Sequence, residues 1–266
     1  MSVRSGLSAA RRRMLCSLGR RTVPLGNRGP IISFTFDDFP RTAYTIGGSI
    51  LEQSGARGTF YAAYGLMNTS NELGEQFCAD DLHSLLEKGH ELATHTYSHI
   101  SCRAVGCGIF CEDAERGRKA IEEVSGAPAG NFAYPFGHVN LRAKRVVGTR
   151  MASARGIFSG FNGPEIDLNL LRANALYGDL DGSSQAEHLI LQNAKERSWL
   201  IFYTHDVRNR PSPYGCTPAL FEFAVSVAAR SGSRILTVQR ALAEPESGIS
   251  ISTPEDSRAG IFTNVG

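Results

Sequence analysis

No uninterrupted apolar run in this 266-residue chain approaches the roughly 18 residues that a membrane-spanning helix requires. The strongest candidate, Trp199–Tyr203, has the length of a buried strand. The apolar core of a secretory signal is missing too, so we expect a cytoplasmic protein, with export by an unrecognised route left open. The six cysteines include no C-x-x-C pair, which argues against a zinc knuckle and favours free thiols.

Acidic residues are absent from the first 30 positions, which carry seven arginines. The remaining chain holds 21 basic and 26 acidic residues, a net charge of −5. A nucleic-acid enzyme usually carries its positive charge on the folded body, so we expect no nucleic-acid partner. We predict that residues 1–30 form a basic, solvated and partly disordered arm, with a leader or an anionic-surface-binding segment as alternatives. Residues 244–266, rich in Gly, Ser and Pro, are predicted to be a C-terminal tail.

Three cysteines, Cys102, Cys107 and Cys111, lie close together in a Gly-rich segment. We predict that this segment is a loop leading into a helix. One disulfide bond and an adventitious metal site remain as alternatives for the cluster.

Residues 31–243 alternate between strand and helix patterns without an internal linker or repeat. Strands are predicted at 31–36, 58–63, 90–94, 131–134, 151–154, 168–176, 199–204 and 234–237. Helices are predicted at 43–53, 82–88 (with Asp80 as N-cap), 112–124, 142–147, 184–197, 218–230 and 238–243. Alternating βα units favour a single α/β domain built on a mostly parallel sheet or barrel.

Polar clusters follow three of these strands, at the ends that face one side of a parallel fold. They are Asp37-Asp38, His95-x-x-x-His99 and His205-Asp206. Two imidazoles and one carboxylate form a common open metal site, and the carboxylate is either Asp37 or Asp38. A cation would also relieve the repulsion between adjacent carboxylates. The alternative is that the aspartates cap a turn before Pro40 and that the histidines only pack.

The same residues resemble the motifs of the polysaccharide deacetylases, carbohydrate esterase family 4, over about residues 31–243. Ser33–Asp38 looks like the first motif and His95–His99 matches the second, H-[ST]-x-x-H. Phe132–Gly137 resembles the third motif and Phe202–Asp206 the fifth. The resemblance implies an irregular (β/α) barrel of about seven parallel strands in one domain, with a bound divalent metal that is often zinc.

The resemblance also implies a role for each site residue. Asp38, His95 and His99 would be the metal ligands, and Asp37 the general base that acts on water. His205 would be the general acid, and the backbone N–H of Phe136 would stabilise the oxyanion. Tyr134 and Pro135, in the third motif, are expected to contact substrate.

Two departures from the family pattern stand out. The third motif commonly has an arginine that orients the base, where this chain has Ala133; we predict that Arg172 supplies that charge. The aspartate of the fourth motif is not clear, and we predict that Asp179 or Asp181 orients His205.

The predicted function is therefore metal-dependent removal of acetyl groups from N-acetylated sugars of a poly- or oligosaccharide. An amidase acting on a small non-sugar amide and an O-acetyl esterase are alternatives that keep the same site. A non-catalytic carbohydrate-binding domain is the third. The expected partner is an acetylated carbohydrate, and the oligomeric state stays open.

Overall fold

The structure, a computed structural model, describes residues 9–26 and 28–243. The strands are β1 Thr22–Pro24, β2 Ile31–Asp38, β3 Thr59–Ala62, β4 Ser70–Asn71, β5 Gly74–Glu75, β6 Glu91–Thr94, β7 Asn131–Ala133, β8 Ser153–Arg155, β9 Glu165–Asp167, β10 Asn174–Ala175, β11 Trp199–Thr204 and β12 Arg234–Ile235. The helices are α1 Ala9–Ser17, α2 Ser49–Gln53, α3 Ala79–Glu87, α4 Cys107–Ser125, α5 Leu141–Arg150, α6 Ser183–Glu196, α7 Pro218–Arg230 and α8 Val238–Ala243.

Seven parallel strands curl into an irregular barrel in the order β10-β11-β2-β3-β6-β7-β8. The strand β12 pairs with the first residues of β2. The two ends of the sheet meet where Arg155 forms a parallel bridge with Leu171, just before β10. Two backbone hydrogen bonds of 2.8 and 3.0 Å secure that bridge. The predicted single α/β barrel is therefore confirmed.

Alternation along the strands sorts side chains between the helices and the barrel interior. Phe34, Phe36 and Phe60 point outward and pack with Leu82 and Phe221 of the surrounding helices. The inward positions of β3, β6, β7 and β8 form two layers. Thr59, Glu91, Asn131 and Ser153 form the layer at the strand starts, and Tyr61, Ala93, Ala133 and Arg155 form the layer above it.

The helix α8 covers the end of the barrel where the strands start. The backbone N–H of Val238 donates to Thr59 Oγ1 at 2.9 Å, and that of Gln239 donates to Glu91 Oε2 at 2.8 Å. These amides belong to the first turn of α8, where no intrahelical acceptor exists, so buried strand side chains cap the helix. This end of the barrel is closed, and the opposite end is open.

The predicted N-terminal arm is in part packed against the barrel domain. Over the described residues, β1 pairs antiparallel with β9. Buried Lys144 donates to the carbonyls of Leu15 and Leu18 at the end of α1, and to Asp167. A lysine that binds the last carbonyls of a helix stabilises that terminus. The expectation of a solvated extension is therefore wrong for α1 and β1, whereas residues 1–8 and the predicted tail 244–266 lie outside the described residues.

Two predicted helix starts are also corrected. The helix α3 begins at Ala79, with Cys78 rather than Asp80 at the N-cap, because Asp81 accepts a hydrogen bond from the Cys78 amide. The helix α4 begins at Cys107, five residues before the predicted start at 112. Cys107 and Cys111 therefore lie on a helix rather than in a loop, with their sulfurs 3.7 Å apart and not bridged. Within the described ranges, no helix is both long and apolar enough to cross a membrane.

Candidate metal and active site

The predicted functional residues converge at the open end of the barrel. Asp37 and Asp38 end β2, His95 directly follows β6, and His205 directly follows β11. These residues line one cavity of about 390 Å³. The cavity is lined by Asp37, Asp38, Asn71, Glu72, Leu73, His95, His99, Phe136, Gly137, Ile157, Tyr177, Tyr203, His205 and Tyr214.

Backbone conformations that L residues rarely adopt are concentrated here. Seven non-glycine residues of the described chain have a positive φ, and five of them are Asp38, Phe39, Thr96, His99 and Phe136. Such conformations cost free energy and persist where the surrounding structure enforces them. The φ of 62° at Asp38 also breaks the strand alternation. Both adjacent carboxylates therefore face the same cavity, although an extended strand would point them apart.

Asp38, His95 and His99 form a compact set of potential ligands. Oδ1 of Asp38 lies 2.9 Å from Nε2 of His99 and 3.4 Å from Nε2 of His95. One ligand atom from each of the three residues lies within 4.8 Å of the others. Two imidazole nitrogens and one carboxylate oxygen form the donor set of an open catalytic zinc site.

Hydrogen bonding indicates that a cation suits this cluster. Nδ1 of His95 lies 2.8 Å from the carbonyl oxygen of Ala133, which can only accept, so Nδ1 carries the proton of the neutral ring. Nε2 then presents a lone pair toward Asp38. Oδ1 of Asp38 is buried and has no hydrogen-bond partner. A buried acceptor facing ring nitrogens is what a divalent cation would satisfy.

Asp37 pairs with a residue that the sequence analysis did not identify. Its Oδ1 accepts a hydrogen bond from the guanidinium of Arg155, at the end of β8. The guanidinium also donates to the carbonyl of Gly156 and lies 4.9 and 5.2 Å from the ring centres of Tyr61 and Tyr203. Burial lowers the pKa of Arg155, yet the nearby Asp37 carboxylate raises it overall, so the guanidinium stays charged.

Arg172 is therefore not the arginine beside the base. It lies outside the cavity, where its guanidinium donates to the carbonyl of Ser159 at 3.0 Å. The signal that could have found Arg155 is strand register: Ala133 and Arg155 are partners on neighbouring strands. Because the side chain of Ala133 is small, the longer side chain of Arg155 has room beside it in the barrel interior.

His205 is oriented by a backbone carbonyl instead of an aspartate. Its Nδ1 lies 3.1 Å from the carbonyl oxygen of Tyr214, and its Nε2 lies 4.0 Å from Oδ2 of Asp38. Buried Asp206 folds the intervening loop back by accepting hydrogen bonds from the amide and hydroxyl of Ser212. The predictions for Asp179 and Asp181 are wrong, because Asp179 instead caps a short turn by accepting from the amide of Asp181.

The third motif divides between the cavity and the core. Phe136, at φ 58°, is 56% exposed, and its ring centre lies 4.4 Å from that of His99 at the cavity wall. Tyr134 and Pro135 are buried, and the hydroxyl of Tyr134 donates to the carbonyl of Asn169 on the helix side of the sheet. Neither lines the cavity, so the structure gives no support to their predicted substrate contacts. Sequence reasoning also missed the β4–β5 hairpin, which places Asn71, Glu72 and Leu73 at the cavity.

Comparisons with known proteins agree with this architecture. A family model described as polysaccharide deacetylase matches residues 26–150. A solved structure titled "T48 deacetylase with substrate" is 16% identical, covers 81% of this chain and 92% of its own, and has a TM-score of 0.52. The Xyl-CE4 domain of a multidomain xylanase from the hindgut metagenome of Trinervitermes trinervoides is 17% identical, with coverages of 81% and 91% and the same TM-score of 0.52. At these identities the two structures show a shared fold. No curated protein matches the chain significantly.

Proposed function

Because the chain belongs to the polysaccharide deacetylase family, we propose that it hydrolyses acetyl groups from N-acetylated sugars in a metal-dependent reaction. The observation that carries this proposal is the cavity in which the Asp38–His95–His99 cluster, Asp37 and His205 lie together. A metal site, a second carboxylate and a third imidazole in one cleft fit amide hydrolysis by a water nucleophile.

Asp38, His95 and His99 would hold the metal, and we propose zinc because the donor set is one carboxylate oxygen and two imidazole nitrogens. When bound, such an ion lowers the pKa of coordinated water from 15.7 to about 7 and polarises an acyl oxygen. The carbonyl of Ala133 keeps the His95 ring in the tautomer whose Nε2 is free to bind.

Asp37 is the group we assign as general base. Its free oxygen would accept the proton of the attacking water, while Oδ1 stays bound to Arg155. Arg155 thereby fixes the carboxylate against rotation. The buried guanidinium itself lies against two aromatic rings. Residues of the barrel interior therefore fix the orientation of Asp37.

His205 and Phe136 complete the assignment. An amine leaves poorly unless it is protonated, and Nε2 of His205 faces the cavity while Nδ1 donates to the Tyr214 carbonyl. Nε2 would therefore take up a proton and pass it to the departing nitrogen. The backbone N–H of Phe136 would donate to the acyl oxygen as negative charge develops there. The exposed rings of Phe136 and Tyr214 at the rim suit stacking on a sugar.

Acetate release tests this function directly. Protein stripped with a chelator should release no acetate from N-acetylated chitooligosaccharides, and added zinc should restore the activity. Asp38→Asn should neither retain zinc nor release acetate, because it removes the carboxylate ligand. Acetate released from small amides or O-acetylated sugars, but not from N-acetylated ones, would identify the substrate class instead. Zinc binding without acetate release from any of them would contradict hydrolysis and support a binding domain.

A further inference from the structure

The segment between the two histidines of the proposed metal site has an unusual conformation. Thr96 and His99 have φ values of 63° and 53°. The chain bends at His95, Tyr97 and Ser98, and both imidazoles face Asp38. A segment in such conformations holds its shape only when neighbouring groups enforce it.

Asp113, on α4, makes the contacts that hold this segment. Its Oδ2 accepts hydrogen bonds from the backbone amides of Tyr97 at 3.1 Å and Ser98 at 2.9 Å, and its Oδ1 accepts from the Ser98 hydroxyl at 2.8 Å. The backbone carbonyl of Asp113 also lies 3.1 Å from the Tyr97 amide. A single side chain thus binds consecutive amides located between the two imidazoles.

The close approach of α4 makes these contacts available. Gly117 lies one helical turn after Asp113, and a Cβ atom at Gly117 would come within 2.5 Å of the Thr96 carbonyl carbon. Glycine therefore lets the helix backbone touch the segment. On the opposite side, the amide of Gly65 donates to the carbonyl of Tyr97 at 2.8 Å. The segment is clamped between α4 and the turn after β3.

We propose that Asp113 is a positioning residue that preorganises His95 and His99 for the cation. This inference deepens the proposed function and rests on its metal site. Asp113 does not face the cavity, so it acts through the backbone of residues 97 and 98. Groups that orient metal ligands from outside the coordination sphere typically contribute about 10- to 100-fold to metal affinity.

Zinc affinity of the metal-free full chain, measured by competition with a chelating dye, tests the proposal. Asp113→Ala should weaken zinc binding about 10- to 100-fold, because the Ser98 amide and hydroxyl lose their acceptor and the Tyr97 amide keeps only the backbone carbonyl of residue 113. Asp113→Asn should bind nearly as tightly as the wild type. Its amide oxygen can accept from both backbone N–H groups, and its NH₂ can donate to the Ser98 hydroxyl.

Glu112→Gln is the matched control, since this exposed neighbour carries the same charge on the same helix. If Asp113→Asn and Glu112→Gln lost as much zinc affinity as Asp113→Ala, the charge rather than the hydrogen bonds would matter. That result would overturn the proposal. Unchanged affinity in Asp113→Ala would overturn it as well. Thermal unfolding of each metal-free variant identifies any that fail to fold.

Amide hydrogen exchange at Tyr97 and Ser98 separates this proposal from the proposed function. Both amides should be protected in the metal-free wild type and in Asp113→Asn. In Asp113→Ala the Ser98 amide should exchange faster, whereas the Tyr97 amide keeps the backbone carbonyl of residue 113 as acceptor. If the wild type bound no zinc, the proposed function would be contradicted. The exchange rates of these amides would still show whether Asp113 holds the segment. If zinc bound without deacetylation, the affinity comparison would stand unchanged. Equal exchange in all variants would refute the role of Asp113.

Discussion

The two ends of the barrel are built from the same strands, and both bury carboxylates. Only at the closed end are both oxygens of the carboxylate bound by hydrogen-bond donors. At the closed end, Glu91 accepts hydrogen bonds from Thr59 at 2.8 Å, Asn131 at 2.6 Å and the Gln239 amide at 2.8 Å. At the open end, Asp37 is paired with Arg155, while Oδ1 of Asp38 has no hydrogen-bond partner.

The two carboxylates differ in whether the surrounding protein groups satisfy their hydrogen-bonding capacity. Buried polar groups are nearly always satisfied, so an orphaned acceptor needs an explanation. Glu91 is satisfied by neutral donors and serves the attachment of α8. Oδ1 of Asp38 has no such donor, which fits the proposed cation, and the backbone around it is held in rarely populated conformations. Substitutions at the open end should therefore affect catalysis first, and those at the closed end should affect stability.

Among substitutions that leave the proposed ligands in place, His205→Ala at the open end should have the largest effect. Removing the proposed acid should lower kcat for acetate release by about 10²- to 10⁴-fold, the usual contribution of general acid–base catalysis. Zinc content should stay at the wild-type level, because His205 is not one of the three clustered ligands. Zinc analysis and steady-state kinetics on one preparation would measure both. Loss of zinc with full turnover per bound ion would show that His205 is a ligand instead.

Removing the buried arginine from β8 should have the next largest effect, and returning it from the neighbouring strand should reverse part of that effect. Arg155→Ala should lower kcat about 10- to 100-fold, because the base loses the group that orients it. It should also lower the free energy of unfolding by about 3–5 kcal/mol, since Asp37 stays buried without its partner. The double variant Ala133→Arg/Arg155→Ala returns a guanidinium from the in-register position on β7 and should recover part of both losses.

Kinetics and urea unfolding of the single and double variants measure this recovery. A folded double variant as inactive as Arg155→Ala would contradict the assignment of Arg155 to Asp37. Zinc affinity serves as the control, because neither substitution changes a residue of the ligand cluster.

The smallest effect is expected from Glu91→Gln at the closed end, and it should depend on pH. Burial raises the pKa of Glu91 above its ordinary value of 4.5, although the hydrogen bonds from Asn131, Gln239 and Thr59 oppose that rise. The folded state then binds the proton more tightly than the unfolded state. As the pH rises from about 4.5 through the folded pKa, the wild type loses stability that Glu91→Gln does not lose.

The variant should therefore gain stability relative to the wild type over this pH range, by about 1.4 kcal/mol for each unit by which the pKa is raised. Its kcat should stay close to wild type. Urea unfolding of the metal-free proteins at several pH values measures the difference, with the exposed Glu123→Gln as control. Parallel stability curves for the wild type and Glu91→Gln would rule out a destabilising charge at the closed end.

Much of the fold and the main polar residues of the site could be predicted from local patterns. Apolar runs followed by polar clusters placed Asp37, Asp38, His95 and His205 at strand ends, and in a parallel barrel those ends meet. The structure brings these residues into one cavity. The same patterns failed at several boundaries, such as the start of α4, because capping and tertiary packing decide where a helix begins.

The supporting groups could not be found this way. The prediction of Arg172 and Asp179 relied on residue type and position in the chain. The actual partners are Arg155, chosen by strand register, and the backbone carbonyl of Tyr214, which has no residue signature. Asp113 contacts the segment between His95 and His99 because Gly117 allows α4 to approach it.

The sequence alone determined which side chains end the strands, because the two-residue period of a strand and the residues after it are local properties. It thereby specified which polar residues meet at the open end of the barrel. Tertiary structure decided which groups orient those side chains. Strand register and the distance at which a helix packs depend on residues far apart in the sequence. They bring together atoms that no local sequence pattern connects.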